Sequence, residues 1–272
     1  MTETEVKLIC CASSATATET ARANVIISGS YGGEYNAFHA AKWRIRGVVL
    51  SDAGVGKDDA GINGLPYLDR IGLAAATADA QTCHIADGEH ILEHGVISYV
   101  NDAARALGCK PGMTVRDCAT LMKAGPVITE QPAAVSGGKR YVMSETPGKP
   151  RVICVDAAPM LEDGDAGAIA ITGSHAALFR GQPDGLIAPA VHAVFFNDAG
   201  VGLDEAGIKR LALLDERKLI AGAVDAATAP IGNAREIYRT GVLSRVNESA
   251  AAAGAAPGMP LRDFVQMLLD RA

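Results

Sequence analysis

The stretch DAGVGKDDAGINGLPYLD, Asp52 to Asp69, recurs as DAGVGLDEAGIKRLALLD, Asp198 to Asp215, at a shift of 146 residues. From Asp52 to Lys123 the register runs without a gap, and 32 of those 72 positions carry the same residue 146 places later. Identity on that scale in one unbroken register is the signature of a tandem duplication, and such a repeat constrains the fold more than any single motif. The likeness extends upstream, where NVIISGS ending at Ser30 parallels AIAITGS ending at Ser174, and VKLICCA parallels RVICVDA. Between Ser30 and Asp52 the second copy is two residues longer. The expected organisation is a first repeat over residues 1–124, a connector over 125–149 and a second repeat over 150–272. The connector is rich in Pro, Gly, Ser and Thr, and YVMSE inside it reads as an added strand.

Each copy alternates short apolar strands with helices. In the first, strands are expected at 25–28 and 47–50 and at the small-residue run LAAATA, with helices at AFHAAKW and from about Asp58 to Asp69. Continuous apolar strands joined by helices predict an α/β fold, a parallel sheet covered on both faces with right-handed crossovers, the two halves related by a pseudo-two-fold axis. Hydrophobic residues make up 49% of the chain and aromatic ones only 4%. The core must therefore be built from Ala, Val, Ile and Leu packed against glycine-rich backbone.

A net charge of −6 disfavours a nucleic-acid partner, because phosphate neutralisation needs clustered Lys and Arg. The opening MTETEV has no basic segment followed by an apolar one, and no apolar run approaches a membrane span, so a cytoplasmic protein is expected. The expected partners are a small-molecule substrate and, optionally, further copies of the chain. Six cysteines are scattered without a C-x-x-C pair and read as reduced core thiols, except Cys83 in a polar stretch.

Ligands of open parallel sheets gather beyond the carboxyl ends of the strands. Ser30, Asp52 and Asp79 each fall at such an end, and each returns in the second copy as Ser174, Asp198 and Asp225. Serine and aspartate at these places also cap helices and brace glycine-rich turns. The segment Gly29-Ser30-Tyr31-Gly32-Gly33 suggests an anion cradle of free amides. It also resembles the G-x-S-x-G nucleophile elbow of the α/β hydrolases, over roughly 25 residues and with Ser28 in place of the first glycine; the duplicated architecture leaves no room for that family's order of nucleophile, acid and histidine. A dinucleotide site would use Gly29, Gly32, Gly33 and Asp52, but the glycine spacing is wrong and the second copy drops the later glycines while keeping Asp198.

The copies differ in their ionisable groups. Lys57, Cys83, His84, Asp87, His90 and His94 face Leu203, Ala229, Pro230, Asn233, Glu236 and Thr240 across the shift, which predicts one asymmetric site in the first copy. Lys57 is a candidate to stabilise negative charge, and His84 to exchange protons with Asp52 or Asp79 as its orienting carboxylate. His90-Ile91-Leu92-Glu93-His94 spells H-x-x-E-H, a zinc-peptidase pattern, on a helix of barely two turns with no third ligand in view. Asp52, Asp58 and Asp79 offer oxygen ligands to Mg²⁺; no cofactor is required by the pattern. Ser98 and Asn101, with Ser244 and Asn247, read as helix caps, and Arg116 and Arg262 as first-turn residues of terminal helices. The expected activity is hydrolysis of a small amide, imide or ester, or related lyase chemistry. The rival expectations are a non-catalytic sensor of a carboxylate or phosphate and a Mg²⁺-dependent enzyme.

Overall fold

The computed structural model describes residues 5–130, 132–181, 187 and 189–272. They form two compact units: the first holds residues up to Gly54, 61–136 and 202–204, the second 55–60, 137–201 and 205–272. No helix among the described residues is long and apolar enough to cross a membrane.

The first unit runs β1 (Leu8–Cys11), β2 (Val25–Tyr31), α1 (Glu34–Ala41), β3 (Gly47–Ser51), α2 (Gly64–Asp69), β4 (Ala74–Ala78), α3 (Gly88–His94), β5 (Ile97–Val100), α4 (Asp102–Ala106) and α5 (Val115–Met122). Its sheet has the order β1-β2-β3-β4-β5, with the first four strands parallel and β5 antiparallel to β4. Each strand is laid beside its predecessor, so the order never reverses. The crevice that opens at the reversal point of a doubly wound sheet has no counterpart here.

Side-chain alternation divides the core. Val25, Ile27, Val49, Ala74, Ala76 and Ala78 pack with Ile91 of α3 and with Val115, Cys118, Ala119 and Met122 of α5. Ile26, Val48, Leu50 and Ala75 meet Ala37, Ala40 and Ala41 of α1 and Leu65 and Leu68 of α2. Both faces are buried, which is why these strands read as unbroken apolar runs.

The second unit runs β6 (Arg140–Ser144), β7 (Val152–Val155), β8 (Ile169–His175), β9 (Ala193–Asn197), α6 (Arg210–Glu216), β10 (Ile220–Val224), α7 (Ala234–Thr240), β11 (Leu243–Val246), α8 (Glu248–Ala252) and α9 (Leu261–Arg271). Its sheet order is β11-β10-β9-β8-β7-β6; β7 to β10 are parallel, and β11 and β6 are antiparallel to their neighbours. The strand expected at YVMSE is β6, which covers β7. Larger side chains fill this core, with Phe195 and Phe264 in edge-to-face contact at 5.8 Å.

Two boundaries depart from the sequence reading. The helix expected from Asp58 to Asp69 is a short 3₁₀ turn at Lys57–Asp59 followed by α2 from Gly64, because Asp58 and Asp59 adopt φ of 58° and 52°, outside the right-handed region a helix needs. β2 extends three residues past the expected end and carries Ser30 inside the strand rather than at a helix start.

Gly29 shows how tightly the carboxyl end of β2 is closed. Its carbonyl accepts Ala86 N at 2.7 Å, and a Cβ at residue 29 would lie 2.4 Å from both Ala86 C and Asp87 N. Gly137, by contrast, has nothing within 4 Å of that position. Gly29→Ala is expected to destabilise the protein by roughly 2–3 kcal/mol and Gly137→Ala by less than about 0.5, read from urea unfolding midpoints.

Candidate functional site

Asp52 follows β3 directly and is 4% exposed. Its Oδ1 accepts Gly54 N at 2.9 Å and Ala80 N at 3.0 Å, and Ser98 of β5 hydrogen-bonds the carboxylate. Asp198 repeats the arrangement in the second unit: Oδ1 accepts Gly200 N at 2.9 Å and Ala226 N at 3.0 Å, and Oδ2 accepts Ser244 Oγ at 2.7 Å. Burial raises both carboxyl groups above the ordinary aspartate range against the pull of these donors. Ser98 and Ser244 lie in strands β5 and β11, not at helix starts, and serve these aspartates; Asn101 and Asn247 do cap α4 and α8.

Ser30 is buried at 6% exposure. Its Oγ accepts Ser14 N at 3.0 Å and donates to Ser13 Oγ at 3.3 Å, within a chain of hydroxyls that continues from Ser14 to Ser28. Ser174 makes the same tether, accepting Ala158 N at 2.9 Å. The amides expected to cradle an anion have other partners or neighbours. Gly32 N donates to Ser51 O at 2.8 Å, and Glu34 N to Asn63 Oδ1 at 3.0 Å. A Cβ on Gly33 would meet the Tyr31 ring at 2.4 Å. Close packing thus explains each glycine of this loop without a ligand.

Asp79 and Asp225 brace turns, each accepting the amide two residues on, Gln81 N and Ala227 N, at 2.8 Å. Cys83 is fully buried in the core rather than set in a polar loop, and burial pushes its thiol up to about 12, which leaves it a poor nucleophile. Lys57 belongs to the second unit, where its amide donates to Ala226 O at 2.8 Å and its ammonium to Thr228 O at 3.3 Å. The expected partnership of Lys57 with the carboxylates of the first copy is replaced by this carbonyl contact.

His84 is held by a carboxylate, but a different one from those expected. Its Nε2 lies 2.9 Å from Oδ2 of Asp204, whose segment 202–204 is part of the first unit through Leu203 N donating to Ala80 O at 2.8 Å. The His84 ring stacks on His90 with centroids 3.7 Å apart and planes 16° from parallel, and His84 N donates to His90 Nδ1 at 3.2 Å. His94 follows at 4.5 Å from His90. Burial, then the neighbouring His84 and His94, hold His90 below the ordinary histidine value. Asp204 was missed in the sequence because it lies 120 residues from His84 and reads there only as the repeat of Asp58.

The H-x-x-E-H segment is α3, capped by Asp87, whose Oδ1 accepts Glu89 N and His90 N. Among the described residues, no group of three or more His, Cys, Asp or Glu is arranged to hold a metal ion. Neither the H-x-x-E-H pair nor Asp52, Asp58 and Asp79 forms such a set.

No protein-family model, curated protein or solved structure matches the chain.

The Asp52 carboxylate yields a signed pH test. A carboxyl group raised in the folded state adds stability when protonated and loses that contribution as pH climbs through its folded value. Asp52→Asn keeps an oxygen for Gly54 N and Ala80 N and offers Ser98 an amide donor. The Tm of this variant minus that of the wild type is expected to grow between about pH 4 and 7, followed by circular dichroism.

Proposed function

We propose that the chain is a small-molecule enzyme of proton-transfer chemistry, a hydrolase of a small amide, imide or ester or a lyase on a related carboxylic compound. His84 acts as the general acid–base group and Asp204 as its orienting carboxylate. The 2.9 Å contact between His84 Nε2 and Asp204 Oδ2 is the observation that carries this reading. A carboxylate accepting from Nε2–H leaves Nδ1 as the nitrogen that takes a proton from water in this scheme. His84 is 22% exposed at its side chain, enough to reach a ligand while still braced by His90.

Water rather than Ser30 is the nucleophile in this scheme. The Ser30 hydroxyl hydrogen is directed to Ser13, and its oxygen holds the Ser14 amide, so it has no base to activate it. His84 removes a proton from water as it attacks the substrate carbonyl, then returns that proton to the leaving nitrogen or oxygen. We further infer that the two halves descend from a duplicated α/β unit whose first copy acquired the histidines. The 32 identities in 72 positions and the shared roles of Asp52 with Asp198 and Ser30 with Ser174 support that descent.

Purified protein is to be screened for turnover of small amides, imides, lactones and esters. With a responsive substrate, His84→Gln is expected to lower kcat/KM by about 10² to 10⁴ and Asp204→Asn by less, while Ser30→Ala retains most activity. Binding of such compounds without turnover, or full activity in His84→Gln, would sink the assignment.

A further inference from the structure

Among the described residues, the second unit buries a cation with no anion paired to it. Arg210, the first residue of α6, is 3% exposed. Its Nη2 donates to Ala177 O at 2.9 Å, and its guanidinium lies 5.4 Å from the centroid of the Phe196 ring. Among the described residues its Nε has no hydrogen-bond partner. Burial alone pulls the group down to about 10, and among the described residues no carboxylate pairs with it. A carbonyl dipole and an aromatic face soften this cost, but neither supplies the missing unit of negative charge.

The position is built to take this side chain. Arg210 N donates to Ala176 O at 2.8 Å, just as Gly64 N, 146 residues earlier, donates to Gly32 O at 2.8 Å. At Gly64 even a Cβ would stand 2.7 Å from Gly32 O and 2.9 Å from the Ala37 Cβ. One backbone anchor thus leaves no space for a side chain in the first unit and holds a whole arginine in the second. His175, the last residue of β8, stands beside it at 9% exposure. Its Nδ1 accepts Ala177 N at 3.2 Å, so the neutral ring keeps its hydrogen on Nε2 as a donor. Burial, with Arg210 next to it, lowers His175 to about 3, which keeps it uncharged. Among the described residues the cluster is rich in donors and holds no anionic acceptor.

We propose that Arg210 is the anion-recognition residue of a small-molecule binding site at the carboxyl end of β8, assisted by His175, for a ligand that presents a compact oxyanion, a carboxylate or a phosphate group. The free Nε–H and an Nη hydrogen on the same edge of the guanidinium match the two oxygens of such a group. The site lies wholly within the second unit and stands independently of the roles given to His84 and Asp204.

Wild type and Arg210→Met are to be titrated with acetate and, separately, inorganic phosphate, with chloride at matched ionic strength as control, reading Tm and the heat of binding. One oxyanion is expected to raise the wild-type Tm by about 5 °C at a hundredfold excess over its Kd. Arg210→Met is expected to lose that shift and, in chloride alone, to melt above the wild type because an unpaired buried charge is gone. A response to acetate makes the ligand group a carboxylate; a response to phosphate makes it a phosphoryl group. If neither anion differs from chloride, or the variant responds as the wild type does, the proposal is overturned. Should Arg210→Met fail to fold, Arg210→Lys keeps the charge without the Nε–H and must bind the effective anion at least tenfold more weakly; equal affinity overturns the proposal as well.

Discussion

A carboxylate shut away from water survives only if donors replace its hydration, and both units are organised around one. Asp52 joins the end of β3 to the loop after β4 through the amide of Ala80, and to β5 through Ser98. Asp198 joins the corresponding elements through Ala226 and Ser244. The bolt adds to the other ties of these antiparallel strands, among them Asn101 and Asn247, whose side chains hold Ala75 N and Ala221 N. The same oxygen also holds Gly54 N and Gly200 N, the entry to a turn that runs through the left-handed region. Ala53, Gly54, Val55 and Gly56 have φ of 48°, 72°, 64° and 72°, and Ala199 to Gly202 follow the same course from 50° to 75°. A β-branched valine there costs on the order of 1–2 kcal/mol, so the turn persists because the buried carboxylate and its amides over-determine it.

That turn explains where the fold was legible in the sequence and where it was not. Strand positions and the alanine-rich packing followed from apolar periodicity, since Ile26 and Ile27 need opposite faces and receive them. β6 was visible as an apolar run inside a polar connector. The helix expected from Asp58 was a misreading with a physical cause. Residues 58–69 have acceptable helix propensity, but Asp58 and Asp59 sit at positive φ as part of the Asp52 turn, a constraint imposed by tertiary hydrogen bonds that no local window contains. The closure of β2 over Ser30 was hidden for a similar reason: the chain at Ala86 and Asp87 that packs on Gly29 is nearly sixty residues away in sequence.

The candidate site was legible as a neighbourhood rather than as a set of roles. Matching polar residues in the two halves drew attention to Ser30, Asp52 and Asp79, and the structure gives each the same hydrogen-bonding task as its counterpart. Such matches mark what folding needs. The residues that differ make the unusual contacts: His84 and His90 stacked in the first unit, where the matched Asp204 joins them, and Arg210 with His175 in the second. His84 could be singled out from sequence because its counterpart is Pro230, but its partner could not, since pairing with Asp204 depends on the tertiary placement of residues 202–204.

Energetics separates these two kinds of residue more sharply than sequence does. The buried aspartates are offset by two amides and a hydroxyl each, so a scaffold role suffices to explain them. Among the described residues, Arg210 with its orphan Nε has no carboxylate to offset its burial, and the two histidine rings stacked at 3.7 Å lean on one carboxylate, Asp204. At the matching places of the other unit stand Pro230, Glu236 and Gly64, none of which repeats a histidine ring or a guanidinium. Groups that burden the fold in this way are the ones to which the proposed catalytic and anion-binding roles are assigned.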